Sequence, residues 1–126
     1  RSRKMLETKQ ALIAEVIDNA KTQIRELPDE EYFALLLKIA DKAIHEGEGV
    51  ISLSSKDLAR MPKDFEDKIK AIAEGRQANM SVSKDAIDVE DGFVLSYGGI
   101  EENCTLEAIF ADKKEELSDL VQKLLF

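Results

Sequence analysis

The residue types able to do chemistry are few in this chain, and their spacing works against them. Ser81-Val82-Ser83-Lys84 matches the Ser-x-x-Lys spacing of serine acyl-enzymes, which functions on the first turn of a helix. Here Met80 and Val82 alternate with Ser81 and Ser83, a strand pattern that runs into a loop. Ser81 and Lys84 then point to opposite faces, and the match reads as chance. Cys104 would need a base beside it to become a nucleophilic thiolate, and no histidine stands near it in sequence. In a core strand it is expected to be a buried, inert thiol. His45, the single histidine, cannot build a zinc site without carboxylate help. It falls in the predicted last turn of a helix, where partial positive charge suits the helix dipole.

Asp85, Asp88, Glu90 and Asp91 precede Gly92 in the manner of a calcium loop, but the EF-hand order requires a ligand where Ile87 stands. An exposed acidic loop is the better account. Asn103-Cys104-Thr105 is formally a glycosylation sequon, but no secretory signal accompanies it, so it is expected to go unused. Gly98 and Gly99 are too few for a phosphate cradle. Glu101 and Glu102, adjacent on a strand, point opposite ways and cannot share a proton. No catalytic residue, cofactor or metal is expected.

The elements that carry these residues follow from pattern. Residues 1–27 read as one helix about 40 Å long, more than a domain of 126 residues needs. Leu6, Ile13, Ala20 and Leu27 recur every seven residues, with Gln10, Ile17 and Ile24 interleaved, which is a heptad seam. Met5, Leu12 and Val16 widen the apolar face. Packing on the chain's own domain and pairing with a partner helix are both open for the later turns. For the first turns a partner helix is expected, with Leu6, Ile13, Ile17 and Ile24 as contact residues.

Pro28 ends that helix and opens the next, followed by Asp29, Glu30 and Glu31 at its positive end. Residues 32–44 are apolar nearly all round, so this helix should be buried on most sides until Gly47 and Gly49 stop it. Strands are expected at 50–53, 79–83, 93–97 and 100–104. Ser54 with Asp57 marks a short helix ending near Met61, and Pro62 restarts helix up to Gly75. Gly98-Gly99 suits a two-residue hairpin turn. Thr105 is the expected N-cap of a last helix. Leu106, Ile109, Phe110, Leu117, Leu120, Val121, Leu124 and Leu125 form one stripe on it, read as core. The fold class is α/β in the loose, α+β sense: a small mixed sheet of about four strands packed with helices, preceded by a long projecting N-terminal helix. Residues 1–27 and 28–126 divide as rod and globular head.

Composition narrows the function classes. The chain has 26 acidic against 18 basic residues, net −8, which disfavours nucleic-acid binding. Residues 1–27 hold six Lys/Arg and four Asp/Glu, whereas the remainder holds 12 and 22, so rod and head should meet different neighbours. One cysteine fits a reducing cytosol, and no apolar run is long enough to insert in a bilayer. The start at Arg-Ser-Arg-Lys, already inside a helical pattern, suggests a fragment.

The stretch Gly92-Phe93-Val94-Leu95-Ser96-Tyr97-Gly98-Gly99-Ile100-Glu101-Glu102-Asn103-Cys104-Thr105-Leu106-Glu107-Ala108-Ile109-Phe110 carries a family likeness. It resembles the C-terminal region of the E subunit of V-type/A-type ATP synthases (ATPases), on the bacterial V-type branch. The resemblance extends along the chain, including the helix-Pro28-Asp29-Glu30-Glu31-Tyr32 segment. It departs at Gly99, where relatives often carry an acidic residue, and at Leu106, where they often carry Phe. The resemblance implies a non-catalytic peripheral-stalk (stator) subunit of a rotary ATPase that couples ATP synthesis or hydrolysis to proton or sodium transport. It implies a coiled coil with a second stalk subunit of the G/H type and a globular end that grips the B subunit of the A3B3 head. The far end would meet the stator subunit of the membrane sector through an N-terminal part not in this sequence. The location would be cytoplasmic and peripheral to the membrane. A regulator of a flagellar export ATPase, or an unrelated coiled-coil interaction module, is the alternative.

Overall fold

The computed structural model describes residues 2–125, with side chains described from residue 8 to residue 124. In chain order the elements are α1 (Ser2–Arg25), α2 (Asp29–Ala43), β1 (Gly47–Ser52), α3 (Ser55–Arg60), α4 (Phe65–Glu74), β2 (Ala78–Val82), β3 (Gly92–Tyr97), β4 (Ile100–Thr105), α5 (Leu106–Asp112) and α6 (Lys114–Leu125). The strands form one mixed sheet in the order β2-β1-β3-β4. β1 and β2 are parallel, joined through α3 and α4, while β3 is antiparallel to both β1 and β4. The expected α/β class with a four-stranded mixed sheet is the one observed.

The chain separates into two compact units, Leu27–Leu106 and the pairing of Arg1–Glu26 with Glu107–Phe126. In the first, strand alternation sends Ile51, Met80, Phe93, Leu95, Tyr97 and Cys104 into a buried core. Tyr32, Phe33, Leu36, Ala40 and Ile44 from α2 and its end, and Phe65, Ile69 and Ala73 from α4, fill the same core. Phe33 meets the ring of Phe65 edge-on at 5.2 Å, a favoured aromatic geometry. The opposite side of α2 is open, with Ala34, Lys38, Asp41 and Lys42 exposed, so this helix is buried on one side only.

Several boundaries differ from the sequence expectation, each for a local reason. α2 ends at Ala43 and Ile44 is already extended, its N–H bound to the Ala40 carbonyl. Gly47 and Gly49 therefore lie in β1 and do not stop the helix. A Cβ on Gly49 would run into the Ser96 carbonyl oxygen and the Tyr97 ring, so close strand packing is what demands glycine there. Thr105 is the last residue of β4, paired with Gly92, and its N–H is held by Asn103 Oδ1 at 3.0 Å. It is a strand residue where the spacing predicts a helix N-cap.

In the second unit, α1 and α6 pack against each other, and Lys21 Nζ lies 5.8 Å from the Phe110 ring centre. α5 and α6 are set apart only at Lys113, whose N–H and carbonyl still make helical bonds to Ile109 and Leu117. The apolar stripe does not behave as one core face. Val121 is buried, but Leu120 is 51% and Leu124 71% exposed. One face of α6 is therefore apolar and open, against the expectation that all of it belongs to the core. Leu125 lies outside the described side chains. No helix among the described residues is long and apolar enough to cross a membrane.

Candidate functional site

The densest assembly of ionisable groups in the Leu27–Leu106 unit centres on Asp57, which is fully buried on α3. Ser54 caps this short helix, its Oγ accepting the Asp57 N–H at 3.1 Å, as the Ser-x-x-Asp spacing predicts. The carboxylate does not complete a reciprocal capping box. Its Oδ2 accepts the Tyr32 hydroxyl at 2.7 Å, and its Oδ1 accepts Arg60 Nε at 3.0 Å and a second guanidinium nitrogen at 2.8 Å. The Tyr32 oxygen in turn accepts the N–H of Gly92 at 2.9 Å, so one hydroxyl links α2, α3 and the first residue of β3. Arg60 spreads over the Tyr32 ring at 4.4 Å and reaches Asp29 at the start of α2 at 2.9 Å.

The electrostatics follow from burial. Loss of water raises the Tyr32 hydroxyl well above its ordinary range; the Gly92 N–H opposes this and Asp57 adds to it. Partial burial works against the Arg60 charge, but its bonds to Asp57 and Asp29 outweigh that and raise its pKa. Among the described residues no buried side-chain nitrogen or oxygen lacks a partner. Tyr32 and Asp57 are both 0% exposed, so a substrate has no approach to either group. Chemically the cluster can hold elements together; it offers no free acid, base or nucleophile. Sequence reading misses it, because Asp57 is legible there only as a capping residue and Tyr32 only as an apolar one.

The other sequence candidates do not converge on this cluster. His45 is exposed just beyond α2, and not in its last turn. Its ring stacks on Tyr97 at 4.2 Å and 17°, while the Tyr97 hydroxyl accepts the His45 N–H and donates to the His45 carbonyl. Cys104 is buried in β4, and burial with the nearby Glu102 charge pushes its thiol up to about 11. Ser81 is a strand residue and Lys84 an exposed loop residue. In the acidic loop Asp85, Asp88 and Glu90 are exposed, but Asp91 is buried, with its carbonyl accepting the Leu106 N–H. Among the described residues no group of three His, Cys, Asp or Glu could hold a metal ion.

The expected partner-helix residues lie on α1. Ile13, Ile17 and Ile24 are each half-buried; Leu6 falls outside the described side chains. Ile17 and Ala14 line an open groove of about 280 Å³ with Phe110 and Ala111, edged by the charges of Asp18 and Lys21.

Known proteins similar to this chain agree on one description. It is 30% identical over 125 residues to the V-type proton ATPase E subunit of Clostridium botulinum (strain Loch Maree / Type A3), covering 96% of this chain and 62% of that protein. It is 32% identical over 106 residues to the V-type ATP synthase E subunit of Acetivibrio thermocellus, covering 82% and 54%. It is 27% identical over 126 residues to the V-type proton ATPase E subunit of Thermoanaerobacter pseudethanolicus, covering 98% and 63%. No protein-family model matches the chain. The chain thus spans 54% to 63% of the length of these relatives, and its resemblance to the bacterial V-type ATPase E subunit runs over most of its own length.

Proposed function

We propose that this chain is a non-catalytic peripheral-stalk subunit of a rotary V-type ATPase, resisting torque while other subunits carry out chemistry and ion transport. The observation that carries this reading is the similarity to the V-type E subunit over almost the whole chain. The geometry supports it in two ways. The buried ionisable cluster around Asp57 uses its groups on one another, joining α2, α3 and β3, which suits a structural role. α1 is a 24-residue helix, and a long helix is stiff along its axis. On this reading residues 1–27 pair with a second stalk subunit of the G/H type, through Leu6, Ile13, Ile17 and Ile24. The head, residues 28–126, grips the B subunit of the ATPase head, and the membrane-sector stator subunit is the third partner. The protein then works on the cytoplasmic face of the membrane, coupled to proton or sodium transport.

Co-purification tests it. The chain, expressed with the head subunits and small stalk subunit of its own organism, is expected to come down with both. Retention of a flagellar export ATPase instead, or ATP hydrolysis by the purified chain alone, would overturn it.

A further inference from the structure

The two edges of the four-stranded sheet, β2 and β4, do not end alike. At the β2 edge, Ser83 turns its N–H inward to the Ile51 carbonyl, so its neighbour Val82 turns its own outward. α4 packs against β2, and its Glu66 carboxylate accepts that outward N–H at 2.9 Å. The place an added strand's carbonyl would take is thereby filled from within the chain.

At the β4 edge the parity is fixed by Leu106, whose N–H reaches inward to the Asp91 carbonyl. In an antiparallel ladder alternate residues bond the same neighbour, so Cys104, Glu102 and Ile100 also face β3. Glu101, Asn103 and Thr105 turn their main-chain groups away from it. The Thr105 N–H is closed by the Asn103 side chain at 3.0 Å. Glu101 and Asn103 have no such cover: both are exposed, and no described residue bonds their outward N–H and C=O groups. Charge at this edge is of one sign. Glu101 lies on the face it shares with Ser96, and Glu102 on the opposite face with Leu95. Neither carboxylate is in an ion pair among the described residues. Ile100, beside them, is 70% exposed.

We infer that the outer edge of β4 accepts an extended segment of a partner polypeptide, added to the sheet through main-chain bonds to Glu101 and Asn103. Consecutive residues of a strand face opposite ways. Two adjacent basic residues on the incoming segment therefore meet Glu101 on one face and Glu102 on the other, and an apolar residue next to them covers Ile100. A second copy of β4 lacks this chemistry. An antiparallel pair that uses both open residues sets Glu101 against Asn103 of the second copy. Glu102 then stands against Glu102 of the second copy, like charge on like. The inference does not depend on the stalk reading.

Amide-resolved NMR of the isotope-labelled full chain tests it with three peptides. Thr-Val-Lys-Lys-Val-Thr, which reads alike in both directions, is expected to give saturable shifts centred on Glu101, Glu102 and Asn103. It should slow hydrogen exchange at the Glu101 and Asn103 amides about tenfold. Thr-Val-Glu-Glu-Val-Thr reverses the charge, and Thr-Pro-Lys-Lys-Pro-Thr keeps it but puts proline at a bonding position in either direction. Both should be silent. Glu101→Gln removes one charge and should weaken binding about threefold. Glu101→Pro removes the same charge together with the outward N–H, and should weaken binding about tenfold more. It should melt close to wild type, because that N–H makes no bond in the free chain. Asp88→Asn, on the exposed acidic loop, should change binding less than about twofold.

The peptide comparison decides the matter even if Glu101→Pro fails to fold. No shift at millimolar lysine peptide overturns the inference and leaves Glu101 and Glu102 as charges that keep the edge unpaired. Equal binding of the proline peptide, or full binding by a folded Glu101→Pro, overturns it as well. So does concentration-dependent self-association that protects the same two amides, which would assign the edge to a second copy.

Discussion

Tyr32 donates its hydroxyl proton to the buried carboxylate of Asp57 at 2.7 Å, joining two helices across 25 residues of chain. The same oxygen accepts the Gly92 N–H, so removing it orphans a donor and an acceptor at once. Tyr32→Phe keeps the ring under Arg60 and deletes only that oxygen. The expected cost is about 2–3 kcal/mol, the desolvation of two groups left without partners. Arg60→Ala should cost more, about 3–5 kcal/mol, because the buried Asp57 side chain would lose both guanidinium bonds and its only cationic partner among the described residues. Urea denaturation of both variants and of the double variant measures this. Strictly additive losses would mean the three side chains do not act as a unit.

Glycine at position 92 is dictated by two facts together. Its φ is +85°, and a Cβ there would sit 2.6 Å from both the Cys104 carbonyl oxygen and the Thr105 Cα. Those are backbone atoms of a paired strand and cannot swing away. Gly92→Ala is expected to lose about 2–4 kcal/mol, combining strain with displaced pairing. At the hairpin tip only Gly98 has positive φ, and neither Gly98 nor Gly99 has an atom within 4 Å of a built Cβ. Gly99→Asp should therefore stay within about 0.5 kcal/mol of wild type, and Gly98→Asn close to it, since Asn tolerates the left-handed region. Thermal melts of the three variants would refute this if Gly92→Ala proved as stable as Gly99→Asp.

What can be read from the sequence, and what cannot, divides along the same physical line. Pro28, the Ser54 cap, the alternation at Met80–Val82 and the Gly98-Gly99 turn are local signals, and each marks a real element. The parallel pairing of β1 with β2 is open in the sequence, because register between distant strands is decided by packing that no local window contains. Gly49 reads as a helix stop because its reason for being glycine, the Ser96 carbonyl and Tyr97 ring, lies 47 residues or more away in the chain. The Asp57 cluster stays hidden for the same reason. Periodicity alone assigns Leu120 and Leu124 to the core, and a periodic stripe shows that a helix has an apolar face without showing what meets it.

Alkaline pH should destabilise the fold through groups that burial makes harder to ionise. The Cys104 thiol is pushed from its ordinary 9.0 to about 11 by burial, with Glu102 contributing. Burial also raises Tyr97, with Glu102 and Cys104 adding and the His45 backbone opposing. The sign follows from linkage. Above pH 9.0 the unfolded thiol ionises first and draws the equilibrium toward the unfolded chain. The thiol's contribution is thus complete below pH 9.0 and lost as pH climbs to about 11, at most about 3 kcal/mol. Cys104→Ala should show a shallower alkaline decline than wild type. Parallel stability curves for the two proteins between about pH 8 and 11 would show that the thiol is not the group responsible.

The open face of α6 separates exposure from stability. Leu124 is 71% and Leu120 51% exposed, so replacing either with Glu removes little buried area and should change unfolding free energy by about 0.5 kcal/mol or less. Val121, one residue along and 7% exposed, has no such freedom, and Val121→Asp should cost about 3 kcal/mol through an unpaired buried carboxylate. Leu120→Glu with Leu124→Glu should also cut binding of a hydrophobic dye to the folded chain, because those two side chains are among the largest apolar groups it leaves open. If the double variant melted as low as Val121→Asp, both leucines would have to be packed in solution. If it melted with wild type and still bound the dye, the apolar surface would lie elsewhere on the molecule.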